Sequence, residues 1–251
     1  MTSSQDAASK VPEVTLAFWI IKICATTLGE TGGDAVSMSM DLGYLAATAI
    51  FAVIFLFAVG AQISARSFRP SLYWVTIIAT TTVGTTLADF ADRSLGIGYA
   101  GGTSLLLTLL LASLALWHRV LGSVSVETVS SPKAEAFYWV TIMFSQTLGT
   151  ALGDWMADDA DMGYVGAAVV FGGMLALVVV AYHWTHISRT ALFWAAFILT
   201  RPLGAVVGDF LDKPVDHGGL ALSRYTASAI LLVFIVACIF IFPQRAATER
   251  H

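Results

Sequence analysis

Long apolar runs dominate the chain, and short polar stretches separate them at regular intervals. Eight such runs can be drawn, at 14–33, 43–65, 71–90, 98–117, 136–155, 163–182, 191–210 and 220–242. A helix of about 20 residues crosses a hydrocarbon core of roughly 30 Å. These runs are unbroken, whereas β-barrel strands alternate between apolar and polar residues. The pattern therefore predicts an all-α integral membrane protein with eight transmembrane helices.

The chain also repeats itself four times. Each copy begins with Phe or Tyr followed by tryptophan, and a glycine and an aspartate follow 10 and 15 residues after the tryptophan. The tryptophans are Trp19, Trp74, Trp139 and Trp194, the glycines are Gly29, Gly84, Gly149 and Gly204, and the aspartates are Asp34, Asp89, Asp154 and Asp209. Each repeat thus holds two helices, helix A up to the aspartate and helix B after a short loop. An even number of crossings per repeat makes the repeats parallel.

The boundaries of the repeats and the positions of basic residues predict an orientation. The predicted segments are an N-terminal tail 1–13, repeat 1 at 14–65, repeat 2 at 71–117, a linker 118–135, repeat 3 at 136–182, repeat 4 at 191–242 and a C-terminal tail 243–251. Eight lysines and arginines lie in the tails and between repeats, against three in or near the loops inside repeats. By the positive-inside rule, both termini are cytoplasmic. We expect a bacterial inner-membrane protein in which the repeat tryptophans, with Trp117 and Trp184, form an aromatic belt at the cytoplasmic interface.

A polar stripe runs along each helix A. Positions +3, +7, +11 and +15 from the tryptophan share one slowly drifting helical face. In the four repeats they are Lys22-Thr26-Glu30-Asp34, Ile77-Thr81-Thr85-Asp89, Ile142-Gln146-Thr150-Asp154 and Phe197-Arg201-Ala205-Asp209. A charge at the bilayer centre costs at least about 2.5 kcal/mol, so the stripes should face inward. Small residues at +10 and +14 allow close helix approach. We predict an inner ring of four A helices with the B helices outside, in pseudo-fourfold or pseudo-twofold symmetry.

The charged side chains of the stripe predict a cation site. Five carboxylates, Glu30, Asp34, Asp89, Asp154 and Asp209, outnumber the two cations Lys22 and Arg201 by three charges. Carboxylates surrounded by hydroxyls suit a hard cation such as Mn²⁺, Mg²⁺ or Ca²⁺. We take the five acids as metal ligands, with Asp89 and Asp154 facing the cation. The accessory polar or charge-pairing residues are Lys22, Thr26, Thr81, Thr85, Gln146, Thr150 and Arg201.

Three finer expectations concern this stripe. Arg201 lies in register to pair with Glu30, and Pro202 should locally break its helix. In a purely structural alternative, the aspartates only cap helix ends and the hydroxyls bond carbonyls of their own helix.

The four marked repeats resemble a known family. The Trp-x9-Gly-x4-Asp pattern, together with two predicted spans per copy, is similar to bacterial multispanning membrane proteins built from four tandem two-helix "repeats of unknown function". The resemblance covers residues 14 to 242. It implies the architecture and brings no activity.

Function must therefore be predicted from the residues themselves. We expect a secondary transporter of a divalent cation, most simply Mn²⁺ exported in exchange for protons. A pseudo-tetrameric cation channel and a non-transporting membrane assembly or interaction protein are alternatives. The sequence contains no evident nucleophile and base arrangement, so we expect neither an enzyme nor a bound cofactor. The expected partners are the lipid bilayer and a small inorganic cation, with a homo-oligomer as an option, and the net charge of −4 does not favour nucleic acid.

Overall fold

Eight long helices account for most of the chain in the computed structural model, which describes residues 9–248. They are α1 (Leu16–Asp34), α2 (Gly43–Ser64), α3 (Pro70–Asp89), α4 (Tyr99–Leu121), α5 (Pro132–Asp154), α6 (Gly163–Trp184), α7 (Arg189–Asp212) and α8 (Arg224–Ile241). Each helix coincides with one predicted run, with ends that differ by a few residues. The prediction of eight helices is confirmed.

Local sequence explains where the A helices begin and how they end. Thr15 and Ser131 accept hydrogen bonds from backbone amides of the first turns of α1 and α5, and Pro70 and Pro132 occupy first-turn positions. In the first three repeats the aspartate is followed by five residues of π-helix, at Ala35–Ser39, Phe90–Ser94 and Trp155–Asp159. Repeat 4 departs from this, since α7 runs on to Asp212 and is followed by a 3₁₀ turn, Val215–His217.

The four A helices, α1, α3, α5 and α7, form a closed ring. Each packs against the A helices of the preceding and following repeats, and α7 closes the circle on α1. Each B helix packs against helix A of the next repeat: α2 on α3, α4 on α5, α6 on α7 and α8 on α1. The A helices therefore have the inner position that the polar stripes predict. The offset of each B helix onto the next repeat was not predicted, and it interlocks the four repeats.

The outer helices present apolar surface to their surroundings. Side chains such as Phe57, Val169, Leu177, Val233 and Phe240 are exposed on α2, α6 and α8. Five helices, α2, α4, α6, α7 and α8, are long and apolar enough to cross a membrane. Most residues of the last two turns of α1, α3 and α5 are buried inside the ring, including the polar ones. This arrangement of buried polar residues and exposed apolar ones is typical of membrane proteins.

The repeat tryptophans do not form the predicted belt. Trp74, Trp139 and Trp194 are buried, and so is Trp117 of α4, while Trp19 is half-buried and Trp184 is exposed. One cluster fills the ring at its tryptophan end, with several pairs of rings packed edge to face. It contains Trp74, Trp117, Trp139 and Trp194 together with Phe18, Tyr73, Tyr138 and Phe193. The belt prediction was wrong for these four buried tryptophans, because the packed helices bring neighbouring aromatic rings onto them.

Both tails and the linker cover this aromatic cluster. Val11 and Val129 are buried against it, and backbone hydrogen bonds join Lys10 to Val129 and Ala247 to Val11. The Lys10 ammonium lies 2.7 Å from the Glu135 carboxylate. We call residues 9–13, 124–131 and 244–247 the terminal cap. The predicted tails extend beyond it into 1–8 and 249–251, including Arg250, which lie outside the described residues.

Candidate axial ion site

The polar stripe and the small residues of neighbouring A helices form two sides of one interface. The +7 side chain of each A helix packs where the +10 glycine of the preceding A helix lacks a Cβ. The four pairs are Thr81 on Gly29, Gln146 on Gly84, Arg201 on Gly149 and Thr26 on Gly204. The +11 residues Thr85, Ala205 and Glu30 pack likewise on the +14 glycines Gly33, Gly153 and Gly208. The stripe therefore has a packing role as well as an inward position.

The serine and threonine hydroxyls of the A helices form two kinds of hydrogen bond. Some bond carbonyls of their own helix, and others bond groups on a neighbouring helix. Most hydroxyls at +6 and +8 bond their own helix, for example Thr80 to Thr76 O and Thr147 to Met143 O, whereas that of Ser145 has no partner in residues 9–248. Thr26 and Thr85, at +7 and +11, also reach Thr200 O and Gly29 O of neighbouring helices, both at 3.2 Å. The purely structural alternative thus describes the flanking hydroxyls better than the stripe.

Arg201 occupies the middle of the ring. Its Nη2 donates to the Glu30 carboxylate at 2.9 Å, to the Thr85 hydroxyl at 2.6 Å and to the Thr150 hydroxyl. Arg201, Thr85 and Thr150 are fully buried and Glu30 is 2% exposed. The predicted Arg201–Glu30 pair is confirmed, and it joins all four A helices because its partners lie on α1, α3 and α5.

Pro202 does not break its helix. α7 is continuous through Pro202 from Arg189 to Asp212, so that prediction was wrong. The Cδ of Pro202 lies beside Gly149 of α5, where an added Cβ would come within 3.0 Å of it. Because Gly149 has no side chain, α5 leaves room for the pyrrolidine ring of Pro202. Proline is tolerated in buried helices where neighbouring helices accommodate it in this way.

The four aspartates at +15 meet at the opposite end of the ring from the tryptophans. Two basic residues bridge them in pairs. Arg93 contacts Asp89 at 3.0 Å and Asp154 at 3.2 Å, while Lys213 contacts Asp209 at 3.0 Å and Asp34 at 2.6 Å. None of the three aspartates that precede a π-helical turn caps it with its side chain. Each bridge links the even-numbered repeat to the next repeat round the ring, so this end has pseudo-twofold symmetry.

A fifth aspartate completes this end. Asp212 follows Asp209 by one turn and accepts a hydrogen bond from Arg224 at 3.1 Å. Arg224 also lies 3.8 Å from Asp34. Oxygens of Asp34, Asp209 and Asp212 lie within 4.8 Å of one another, and so do oxygens of Glu30, Asp154 and Asp209. We call these the outer and inner carboxylate groups; Asp209 belongs to both.

Oxygens at these separations can surround one metal ion. Two ligand oxygens on opposite sides of Ca²⁺ lie about 4.8 Å apart, given bond lengths of about 2.3–2.6 Å. Asp34 and Asp212 each retain one buried carboxylate oxygen without a hydrogen-bond partner in residues 9–248. The outer group thus has the donors and spacing for a hard cation. Asp89 belongs to neither group; Arg93 pairs it with Asp154.

The two bridging cations change the charge of the site. Arg93 and Lys213 reduce the excess of negative charges on the axis from three to one. Burial alone would lower the pKa of Lys213, but Asp209, Asp34 and Asp212 raise that pKa well above its ordinary value. The pKa of Arg93 is also raised, since Asp89 and Asp154 outweigh burial. Both side chains are therefore held as cations, and either can occupy a cation's place between two carboxylates.

Sequence reasoning missed four members of this end: Arg93, Lys213, Asp212 and Arg224. A signal for the first two was present, since both lie 19 residues after the repeat tryptophan, in repeats 2 and 4 only. A residue four places after an aspartate on a helix is positioned to pair with it. Asp212 carried the same signal, since it lies 18 residues after the repeat tryptophan and directly before the bridging base, as Asp92 does in repeat 2. No repeat signal marks Arg224, because repeat 4 has its own loop.

The remaining stripe residues lie nearer the tryptophan end. The Lys22 ammonium lies 4.1 Å from the centre of the Phe197 ring. Thr81 and Gln146 are fully buried, and their polar side-chain atoms have no hydrogen-bond partner in the part of the chain that the structure describes. All twelve predicted site residues are thus buried in the ring, at four levels along its axis.

Comparison with known proteins reveals one relationship. No curated protein and no solved structure matches the chain. A family model with the description Repeat of Unknown Function matches four times in tandem, at residues 17–68, 72–122, 137–188 and 192–244. These matches cover most of the sequence, and each one spans most of one A helix and the whole of one B helix. The chain therefore belongs to the family described as Repeat of Unknown Function (DUF347).

Proposed function

We propose that the protein is a secondary transporter of a hard divalent cation, with Mn²⁺ as the first candidate and Mg²⁺ or Ca²⁺ next. The axis of the A-helix ring is the path, and protons are the counter-ion in an export reaction. The observation that carries the proposal is the position of Asp209, which contributes to both the outer and the inner carboxylate group. A cation held by the outer group can pass to the inner group while Asp209 stays a ligand.

Charge balance supports the outer group as the first site. Its three carboxylates face two cations, Lys213 and Arg224. A divalent ion that displaces the Lys213 ammonium would balance the three carboxylates together with Arg224. Lys213 would then act as a tethered cation that occupies the site between transport cycles. Loss of the metal would return either Lys213 or protons to the carboxylates, which is the physical basis for proton exchange.

Closure of the axis at two levels favours a transporter over an open channel. The Arg201–Glu30 pair with Thr85 and Thr150 joins the four helices midway, and the aromatic cluster fills the tryptophan end. A cation can therefore move through only if these levels open in turn, which is the requirement of alternating access.

The proposal includes a location. All eight helices would span a bacterial inner membrane, with the terminal cap on the cytoplasmic side and the carboxylate groups on the outer side. The excess of basic residues in tails and linkers supports this orientation, and a cation leaving through the outer group would be exported.

Flux measurements in proteoliposomes test the proposal. Purified protein should move Mn²⁺ with saturable kinetics when a pH gradient is imposed, as measured with an enclosed Mn²⁺-quenched dye. Asp209→Asn should reduce the rate by at least about a hundredfold, because it removes one charge from both groups, and a buried charge-assisted contact contributes about 1.5–3 kcal/mol in each. The sequence predicts that Asp89 and Asp154 face the cation. The flux of Asp89→Asn and Asp154→Asn therefore compares these two acids with Asp209.

The matched control is Asp159→Asn, which changes an exposed acid at the same end of the bundle. It should retain the flux of the unmodified protein. Movement of Mn²⁺, Mg²⁺ and Ca²⁺ no faster than in protein-free liposomes would contradict the proposal, and so would unchanged flux in Asp209→Asn.

A further inference from the structure

The middle of the ring contains more hydrogen-bond donors than its acids satisfy. Several donors are buried without a partner in residues 9–248: the Nζ of Lys22, the Nε2 of Gln146, the Nε and Nη1 of Arg201 and the hydroxyls of Thr81 and Ser145. The Oε1 of Gln146 is an unpaired acceptor at the same level, but it is a single neutral oxygen against two cationic side chains. Apart from Glu30, the acids of the polar stripes are the four aspartates at +15, about two turns further along the A helices than position +7. An unpaired buried donor costs about 1–3 kcal/mol, and more if it is charged, so these groups indicate a missing acceptor.

Register brings the donors to one stretch of the axis. Thr81, Gln146 and Arg201 share position +7 on three helices of the ring, and Lys22 lies at +3 on the fourth. Four residues of helix correspond to about 6 Å. Lys22 lies over the face of Phe197, which precedes Arg201 by one turn on α7. The two levels together place buried cations and amide or hydroxyl donors on all four A helices, within about one helical turn of one another along the axis.

The charges at this level favour an anion. Glu30 compensates Arg201 at 2.9 Å, whereas Lys22 forms no ion pair within residues 9–248 and faces an aromatic ring. A buried ammonium is costly unless a counter-charge accompanies it. A metal cation is disfavoured here, because Lys22 and Arg201 would repel it.

We propose that Lys22, Gln146 and Arg201, with Thr81, bind one small inorganic anion of the size and charge of chloride. The anion would accept hydrogen bonds from the unpaired donors and balance the charge of Lys22. This site is one to two helical turns nearer the tryptophan end than the inner carboxylate group, and it does not depend on the proposed cation transport. A bound anion would also hold the four A helices together at this level.

Thermal unfolding of the purified full chain in detergent tests the site. Tryptophan fluorescence follows unfolding at constant pH and ionic strength, while sodium chloride replaces sodium gluconate. The unfolding temperature of the unmodified protein should rise with chloride and then saturate, because a ligand bound only to the folded state stabilises it by mass action. Binding of radioactive chloride at saturation should give one ion per chain.

Lys22→Met removes the charge and keeps a long side chain. Its chloride affinity should fall by at least about tenfold, the effect of losing one charge-assisted hydrogen bond, and in gluconate it should be as stable as the unmodified protein or more so. Gln146→Leu provides a second variant, with an intact Lys22 and weaker chloride binding. Lys133→Met, which changes an exposed lysine, should respond to chloride as the unmodified protein does.

Two results would overturn the inference. Equal unfolding temperatures of the unmodified protein in chloride and gluconate would mean that water satisfies the donors around Lys22. An equal chloride response in Lys22→Met and the unmodified protein would place the effect of chloride elsewhere. Neither result depends on whether the protein transports a metal.

Discussion

Thr81 of α3 fills the space that the missing Cβ of Gly29 leaves on α1. The same relationship between +7 and +10 recurs at every contact round the ring, with a polar residue of one helix seated on a glycine of its neighbour. Helices associate in lipid through such close approaches, since the hydrophobic effect does not drive them together there. The glycine of each repeat is therefore required by the polar stripe of the next repeat.

This contact predicts the effect of adding one methyl group. In Gly29→Ala the new Cβ would overlap the Thr81 side chain, and overpacking of this kind costs about 1–3 kcal/mol. Gly60→Ala is the matched control, because no atom lies within 4 Å of its added Cβ and alanine has the higher helix propensity. We expect Gly29→Ala to lower the unfolding temperature in detergent and Gly60→Ala to leave it unchanged or raise it.

A double-mutant cycle separates this contact from a general loss of stability. Thr81→Ala removes two of the three side-chain atoms nearest to the new methyl group. The double variant Gly29→Ala/Thr81→Ala should therefore be more stable than the sum of the two single effects predicts. Strict additivity would contradict the close contact between Thr81 and Gly29.

The Arg201–Glu30 pair predicts a second, larger effect. Arg201→Met should destabilise the protein by about 3–5 kcal/mol, because it leaves the buried Glu30 carboxylate without its cation. Arg201→Met/Glu30→Met should regain most of this loss, since no uncompensated charge remains. Unfolding by titration with sodium dodecyl sulfate measures the three free energies. A double variant no more stable than the single one would mean that the destabilisation does not come from the orphaned carboxylate.

The position of each residue along its own helix A was sufficient to predict the Arg201–Glu30 pair. Both residues belong to polar stripes that face inward. Arg201 at +7 and Glu30 at +11 differ by one helical turn, so their long side chains can meet in a tight ring of helices. The bridge from Arg93 to Asp154 could not be predicted in this way, because it depends on which helices are neighbours. The burial of Trp139 was missed for the same reason. A tryptophan near a helix end suits a lipid interface equally well, and only the packing of the ring brings the Tyr73 and Tyr138 rings onto Trp139.

The terminal cap predicts a change in proteolysis. Glu135 holds Lys10 at 2.7 Å, and Lys10 also donates to the carbonyls of Gln62 and Ile63 at the end of α2. Glu135→Ala removes the counter-charge, so the cap should open more often. Because trypsin cleaves after Lys10 only when the segment is open, its rate should rise by at least about tenfold.

Mass spectrometry of the released N-terminal peptide measures this cleavage in the full chain. The control is Glu127→Ala, which changes an exposed acid in the linker part of the cap and should leave the rate unchanged. Equal cleavage rates in Glu135→Ala and the unmodified protein would show that the ion pair does not hold the cap closed.

Lys213 predicts how stability depends on pH. Its pKa is raised well above its ordinary value by Asp209, Asp34 and Asp212, against the effect of burial. A raised pKa means that the ammonium contributes its full stability below the ordinary value of about 10.4, and loses it only when the pH rises through the still higher folded value. The bridge from Lys213 to Asp34 and Asp209 should therefore remain intact throughout the range from pH 6 to pH 9.

Lys213→His moves this loss into an accessible range. Imidazole has an ordinary pKa of about 6.5, and the same carboxylates would raise it, so the variant should lose about 1.5–3 kcal/mol as the histidine becomes neutral between about pH 7 and pH 9. Thermal unfolding at each pH gives the profile, and Lys133→His supplies the exposed control. Because a neutral imidazole cannot neutralise two carboxylates, the two variants should diverge as the pH rises. Parallel profiles for Lys213→His and the unmodified protein would mean that the Lys213 charge does not hold this end of the ring together.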